Sequence, residues 1–343
     1  MKLRDPNTDL IRASAIAMVL IHHVGQNLTL LPEPIHRFLS LGAYGVDLFF
    51  VLSGWLIGGL YWRERSRSGK VNLVRFWLRR WIRTIPPYAA VLPIAFLAVY
   101  FYRGESFDWR YLLFLQNYEE NIPFFLASWS LCVEEHFYLF LPLILGLFSQ
   151  LKFPMHAALP MLVFISVIAR FVDPAALPDQ VFGYASTASH LRFEGLAIGV
   201  WFAYLSIYQP IVWAKFQRVA IALRTPLLLG FLTIPFWSSW TVYYLGTTYV
   251  ALVCAAVLGS FTAMSEIRIA GFQITYYLAL GSYSIYLTHG IVLNVCVLLT
   301  DKLHLVRESV FPIWFILILL AGFVMHYLVE RPAILLRDRV APK

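Results

Sequence analysis

Long apolar segments dominate this chain and restrict the folds open to it. About ten windows of apolar residues can be placed along its 343 residues, and a helix needs ~20 such residues to cross a bilayer. Because backbone groups inside a bilayer must bond within their own segment, these windows predict helices. We therefore expect an all-α polytopic membrane protein, a bundle of about ten transmembrane helices. The windows lie near residues 10–30, 42–62, 86–103, 127–149, 156–172, 193–208, 223–240, 243–263, 276–299 and 311–330.

The composition supports a single membrane-embedded unit. Hydrophobic residues make up 60% of the chain and charged residues 13%, far from the composition of soluble domains. No internal repeat or break in composition separates two parts, so one transmembrane domain is predicted over residues 1–343. Cys132, Cys254 and Cys296 all fall inside predicted spans. They show neither a disulfide framework nor metal-ligand spacing, and no metal site is predicted.

The basic residues indicate how the chain is oriented. The net charge is +8, and with a cytoplasmic N-terminus 19 of the 27 Lys and Arg residues lie in cytoplasmic segments. Because Lys and Arg concentrate on the cytoplasmic side of membrane proteins, both termini are predicted to be cytoplasmic, with an even number of spans. Topology thus accounts for the positive charge, and no nucleic-acid partner is predicted.

The first predicted span contains the stretch RASAIAMVLIHH, whose arginine and two histidines are unfavourable in a bilayer. A helix turns about 100° per residue, so the step from Arg12 to His23 returns to nearly the same face, about 16 Å along the axis. His22 lies about 80° further round. Ionisable groups in spans usually face the bundle interior, which makes Arg12 and His23 the predicted functional pair. Asp9, one turn before Arg12, is placed to form a salt bridge with it.

Polar side chains recur in four later spans. Asp47 and Ser53 lie in GVDLFFVLSG, and Glu134 and Tyr138 lie four residues apart, on one helical face, in WSLCVEEHFYLFLP. The predicted topology places His23, Asp47, Glu134 and Arg192 in the middle or outer part of the membrane, and Arg12, Arg79, Arg80, Arg83 and Glu330 on the inner side. Tyr286 and His289 are three residues apart in GSYSIYLTHG, where packing is the favoured role.

The cytoplasmic segment NLVRFWLRRWIRTIPP predicts an interfacial helix. Arg75, Arg79 and Arg83 recur every four residues and share a face. They could anchor the helix to anionic lipid headgroups. They could equally hold the phosphates of a soluble donor, because Arg binds phosphate with two parallel hydrogen bonds.

Two pairs of glycines lie four residues apart on predicted spans. The pairs are Gly54 with Gly58, and Gly195 with Gly199. This spacing allows transmembrane helices to approach closely, so helix packing is their predicted role.

Six segments, in order, resemble the acyltransferase-three family of integral membrane O-acyltransferases. The segments are RASAIAMVLIHH, GVDLFFVLSGWLI, RFWLRRWIRTIPPY, WSLCVEEHFYLFLP, RFEGLAIGV and GSYSIYLTH, and the resemblance extends from residue 9 to residue 332. The family's Arg and His motif falls on Arg12 and His23, and its basic pair before a proline on Arg79 and Arg80. Its Trp-Ser-Leu segment falls on Trp129, Ser130, Leu131, Glu134, Phe137 and Tyr138. This chain has His136 where the family usually has Gln. Because the chain stops soon after the last span, we expect a stand-alone member without the C-terminal esterase-like domain of many relatives.

The resemblance implies transfer of an acyl group, commonly acetyl, from acyl-CoA to a hydroxyl of a carbohydrate or glycolipid. His23 is the expected general base, or a transient acyl carrier, and Glu134 is expected to orient its imidazole. Arg12 would stabilise the thioester oxyanion or pair with Asp9. Arg79, Arg80 and Arg83 would hold the CoA phosphates. Asp47, Ser53, Tyr138, Arg192, Tyr286 and His289 are the residues expected to bind the acceptor or to support the residues that act.

The resemblance also implies a multi-pass protein of the bacterial cytoplasmic membrane with acyl-CoA as a substrate and no bound cofactor. A transporter or flippase of a glycan or lipid-linked substrate is the main alternative, because buried charge in about ten spans is also typical of carriers. Carriers often contain two related halves, and we find no such duplication. A membrane sensor or scaffold is a third class, and it would have no need of paired His and carboxylate groups.

Overall fold

The computed structural model describes residues 5–104, 106–122, 124–173, 183–264 and 272–342. This part of the chain is helical, with no strand. The helices are α1 (Pro6–Gly25), α2 (Glu33–Ser40), α3 (Gly45–Ser68), α4 (Leu73–Arg103), α5 (Trp129–Gln150), α6 (Met155–Val172), α7 (Tyr184–Thr187), α8 (Ser189–Arg192), α9 (Glu194–Tyr208), α10 (Pro210–Phe231), α11 (Ser239–Thr241), α12 (Thr247–Ala263), α13 (Phe272–Lys302), α14 (Arg307–Met325) and α15 (Arg331–Val340). Single-turn π-helical segments at Val242–Gly246 and His326–Glu330 precede α12 and α15.

The helices confirm the predicted class of fold. Within the described residues, eight helical segments are long and apolar enough to cross a membrane, and each overlaps one of the predicted windows. The other two windows fall on α1, which is more polar, and on α9, which has 15 residues. The protein is therefore an all-α polytopic membrane protein.

Local chemistry sets where α1 and α4 begin. The Asp5 side chain accepts a hydrogen bond from the Asn7 N–H (3.1 Å) and Pro6 occupies the first turn of α1, both of which favour a helix start. Asn72 likewise caps α4 by accepting from the Arg75 N–H (3.0 Å). The predicted interfacial helix and the third span form one continuous helix, α4, which contains three prolines.

Both ends of the described chain lie at one end of the bundle. The Arg79 side chain, near the start of α4, donates to the Ala341 carbonyl just after α15. Arg12 of α1 and Arg80 of α4 line the same cavity. An even number of crossings requires this arrangement, and the cytoplasmic location of that end stays a prediction from the charge distribution.

The predicted glycine pairs lie where α3 crosses α9. A Cβ at Gly54 would collide with the Leu196 carbonyl oxygen, and one at Gly199 with the Val51 carbonyl oxygen. At Gly58 a Cβ would lie 2.8 Å from the Val200 Cα. Because these neighbours are backbone atoms, only glycine permits this approach, as predicted.

We expect Gly199→Ala to lower the free energy of unfolding by about 1–3 kcal/mol, because overpacking forces the two backbones apart. Thermal unfolding of the purified protein in detergent measures the change. Gly146→Ala on α5 is the matched control, since a Cβ there meets nothing within 4 Å. Equal unfolding temperatures for both variants would contradict the assigned close approach.

A buried ion pair fastens α6 to α9. Arg170 Nη1 lies 2.6 Å from Glu194 Oε1, and each side chain is only 1% exposed. Arg170 also donates to the Leu191 carbonyl (2.7 Å), and Ser166 donates to Glu194 Oε2 (2.7 Å). The charges are thus neutralised and hydrogen-bonded, as burial in a bundle requires.

Candidate active site

A cavity lies among α1, α3, α4, α5 and α13. Its lining combines apolar side chains from α3 with a set of polar and charged groups. We call it the cationic cavity. Its polar and charged lining residues are Arg12, Ser53, Arg80, Arg83, Thr84, Ser130, Glu134, Ser282, Tyr283 and Tyr286.

Three arginines and one carboxylate make the cavity electropositive. Arg80 lies over the Tyr138 ring, 4.2 Å from its centroid, and forms no ion pair with any described residue. Arg83 lies 3.9 Å from Glu330, and Arg12 pairs with Asp9 at 3.4 Å, as predicted. The Glu134 and Glu135 carboxylates interact with Arg80 electrostatically but form no salt bridge with it. A guanidinium that no carboxylate contacts directly, held against an aromatic face, is well suited to bind an anion.

Glu134 is held inside the cavity by two hydroxyl groups. Ser53 Oγ donates to its Oε1 and the Tyr138 hydroxyl to its Oε2, each at 2.9 Å. Neither partner is His23, so the expected contact between Glu134 and the His23 imidazole is wrong. Helical phase aligned Glu134 with Tyr138 correctly, but it could not show which group on the neighbouring helix faces them.

His23 belongs to a row of rings that leads away from the cavity. Its ring centroid lies 4.9 Å from that of His289, which lies 5.4 Å from the ring of Tyr286. Tyr286 lines the cavity, and its hydroxyl lies 2.7 Å from Ser130 Oγ. His23 itself does not line the cavity. The α1 and α13 helices thus bring together His23, His289 and Tyr286, which are far apart in the sequence.

The tautomer of His289 follows from its hydrogen bond. Its Nδ1 lies 2.6 Å from the Tyr286 carbonyl oxygen, and His289 is 1% exposed. Because a carbonyl oxygen can only accept, Nδ1 carries the proton in the neutral ring. Nε2 of His289 is then a hydrogen-bond acceptor. The imidazole of His23 is in contact with the His289 ring. Packing was the favoured role for His289 and Tyr286, and the structure also places their rings between His23 and the cavity.

Arg79 faces a different neighbour from Arg80 and Arg83. Its guanidinium donates to the Ala341 carbonyl and lies 3.1 Å from Asp338 of α15. Arg75, on the same face, pairs with Glu64. Arg79 therefore does not line the cationic cavity with Arg80 and Arg83. Adjacent helical residues diverge by about 100°, which separates Arg79 from Arg80. Arg83 shares a face with Arg79 but lies one turn, about 6 Å, further along α4, where it lines the cavity.

Asp47 and Arg192 pair with each other. Their side chains meet at 2.9 Å, and Arg192 lies over the Trp129 ring, 5.3 Å from its centroid. Of the two alternatives that the sequence left open, acceptor binding and charge pairing, the structure shows pairing. The same contact joins α3, α8 and the start of α5.

Some cavity groups were missed from the sequence. Tyr283 donates to the Thr84 carbonyl (2.8 Å) and lies one turn before Tyr286, on the same face of α13. Glu330, which the sequence placed on the inner side, does not line the cavity but lies 3.9 Å from Arg83, where it accepts from Ser284 (2.7 Å) and contacts His326 (2.8 Å). The three-residue step from Tyr283 to Tyr286 is the one signal that could have identified part of this set.

The arginines of the cationic cavity are suited to binding an anionic donor. The paired imidazoles of His23 and His289 are suited to removing the proton of a hydroxyl. The class of protein is a membrane-embedded acyltransferase domain. Residues 5–331 match the acyltransferase-three family, described as acyltransferase domain, and because the match covers nearly the whole chain, the chain belongs to this family. The six motifs thus predicted the family correctly, and the match favours an acyltransferase over a transporter.

Two relatives of this chain are named as O-acetyltransferases. The peptidoglycan O-acetyltransferase OatA of Listeria monocytogenes serovar 1/2a is 26% identical over 317 residues, which cover 83% of this chain and 48% of the relative. The O-acetyltransferase OatA of Staphylococcus aureus (strain NCTC 8325 / PS 47) is 30% identical over 159 residues, 41% of this chain and 24% of the relative. The matched regions thus span about half and about a quarter of these relatives. No solved structure matches the chain.

Proposed function

We propose that this chain transfers an acyl group, acetyl in the simplest case, from acyl-CoA to a hydroxyl of a carbohydrate or glycolipid. One observation carries the proposal. A cavity lined by three arginines is connected through Tyr286 and His289 to the imidazole of His23. The names of the relatives support an O-linked product and, in the Listeria protein, a peptidoglycan acceptor.

The cationic cavity is the proposed donor site. CoA carries several phosphate charges, and Arg80 offers a guanidinium with no ion pair among the described residues. Arg83 and Arg12 lie in the same lining and would add charge. Glu134, fixed by Ser53 and Tyr138, would offset the mutual repulsion of the arginines while the donor is absent.

His23 is the proposed base. A hydroxyl is a weak nucleophile at neutral pH, and an imidazole is suited to removing its proton. His289 would accept a hydrogen bond from one His23 nitrogen and leave the other to act, the orienting role first expected of Glu134. The acceptor oxygen then attacks the thioester carbonyl, the C–S bond breaks, and the CoA thiolate takes the proton held by His23. A transient acyl-His23 would use the same residues in two steps.

Transfer from labelled donor tests the function. Purified protein in lipid nanodiscs is incubated with acetyl-CoA labelled in the acetyl group and with peptidoglycan fragments. Ester-linked label in the saccharide, released by mild base, is the expected result. If label never leaves CoA while labelled glycan crosses the membrane of proteoliposomes, the chain is a transporter.

Arg80→Ala is expected to raise the KM for acetyl-CoA by roughly 10- to 100-fold, the loss of one charged hydrogen-bonding group. The KM for the acceptor should change little. Arg79→Ala is the matched control, because its guanidinium contacts α15 and Ala341. If both variants keep the donor KM of the unmodified protein, the cavity does not bind the CoA phosphates.

A further inference from the structure

A second group of chemically active side chains lies outside the cationic cavity. It is formed where residues 116–118, α5, the end of α6, α7 and α8 meet. None of its members lines the cavity, and the sequence had marked only His136, for its departure from the family. We call it the aromatic–imidazole cluster, and its members are Asn117, Tyr118, His136, Asp173, Tyr184, Ser189 and His190.

One half of the cluster is a directed chain of hydrogen bonds. Asn117 Nδ2 donates to Ser189 Oγ (2.9 Å), and Ser189 Oγ lies 2.7 Å from His136 Nδ1. Because the amide nitrogen can only donate, the serine hydroxyl is free to donate to His136, which then carries its proton on Nε2. Asn117 is fully buried, yet its Oδ1 has no hydrogen-bond partner among the described residues. A buried acceptor of this kind is unusual unless something else occupies the site.

The other half presents aromatic rings with polar edges. The Tyr118 ring stacks on His190 with centroids 5.9 Å apart and an interplanar angle of 5°. His190 Nε2 and the Tyr184 hydroxyl each lie 2.8 Å from Asp173 Oδ2. Burial and the Asp173 carboxylate raise the pKa of Tyr184 to about 12, so its hydroxyl stays protonated and donates.

These rings remain open to solvent. Tyr118 is 36% exposed, and the side chain of His190 is 37% exposed. The predicted topology places the segments 103–126 and 173–192 on the external side of the membrane, opposite the arginines of α4. A cell-surface glycan would meet this side first. Exposed rings with a carboxylate, an imidazole and hydroxyls at their edges offer apolar faces for sugar rings and hydrogen-bonding partners for their hydroxyls.

The cluster is also joined to the cavity through α5 and α8. Ser189 and Arg192 lie on α8, and Arg192 lies over Trp129, the first residue of α5. The next residue, Ser130, contacts Tyr286 in the cavity lining. A ligand held at the cluster would therefore lie on elements that also form the wall of the cavity.

We propose that the aromatic–imidazole cluster is a binding site for the carbohydrate acceptor, separate from the donor cavity. The sugar ring packs on Tyr118 and His190, and its hydroxyl or amide groups bond to the polar edges of the cluster. The proposal rests on the proposed acyl transfer for its biological role, but saccharide binding itself can be measured without turnover.

The test uses the full chain in nanodiscs and, as a probe, the peptidoglycan disaccharide of N-acetylglucosamine and N-acetylmuramic acid. Tyr118→Ala is expected to weaken disaccharide binding and to raise the acceptor KM at least tenfold. Saturation-transfer NMR measures the binding. The acetyl-CoA KM and the hydrolysis of acetyl-CoA without acceptor should stay within twofold. Tyr118→Phe keeps the ring and should retain binding within about threefold. Tyr102→Ala removes a tyrosine that is 63% exposed at the far end of α4 and should change nothing.

The possible results separate the two proposals. If the unmodified protein binds the disaccharide through Tyr118 but transfers no acetyl group, the site stands and the proposed function fails. If it transfers acetyl and Tyr118→Ala keeps the acceptor KM and binding, the site is wrong and the function stands. His190→Asn provides a second variant should Tyr118→Ala fold poorly, and unchanged binding in it would also overturn the site.

Discussion

Replacing His23 by alanine is expected to reduce acyl transfer by about 10²- to 10⁴-fold, the usual contribution of a positioned general base. Binding of acetyl-CoA should persist, since His23 does not line the cationic cavity. The measurement is label transfer from acetyl-CoA at saturating donor, together with donor binding by equilibrium dialysis.

His22→Gln is the matched control for this prediction. His22 lies next to His23, but its Nδ1 lies 3.3 Å from the Leu39 carbonyl oxygen, on another side of α1. We expect this variant to retain activity within about threefold, far from the ~10²-fold loss of a missing base. A His23→Ala protein that is normally inserted and still active would exclude His23 as base and as acyl carrier.

Arg170→Met is expected to lower the free energy of unfolding by about 3–5 kcal/mol, because it leaves the Glu194 carboxylate buried without its partner. Both side chains are 1% exposed, so water cannot replace the lost guanidinium. The Leu191 carbonyl would lose its donor as well. Unfolding in detergent, followed by circular dichroism against temperature or denaturant, gives the change.

Arg37→Met is the contrasting variant. Arg37 pairs with Glu33 at 3.0 Å, but the two side chains are 53% and 70% exposed. A solvent-exposed pair of this kind contributes about 0–1 kcal/mol. The double variant Arg170→Met with Glu194→Gln should recover part of the loss, because the unpaired charge is gone. If Arg170→Met costs no more than Arg37→Met, the buried pair does not hold α6 against α9.

The class of fold, the long helices and the family follow from the amino-acid sequence alone. Apolar windows predict helices reliably here because a bilayer leaves the backbone no other way to satisfy its hydrogen bonds. The glycine pairs predicted a close crossing because their spacing places both on one helical face. The pairing of Arg12 with Asp9, one of the two roles that the sequence left open for Arg12, follows from their three-residue spacing.

The contacts between side chains of different helices come from the tertiary structure. His23 contacts His289 and not Glu134. Arg79 contacts α15, and Asp47 pairs with Arg192. The tertiary structure also assembles the aromatic–imidazole cluster from segments that no motif connects. The physical reason is that periodicity fixes the direction of a side chain on its own helix, whereas its partner depends on how distant helices pack and rotate against one another.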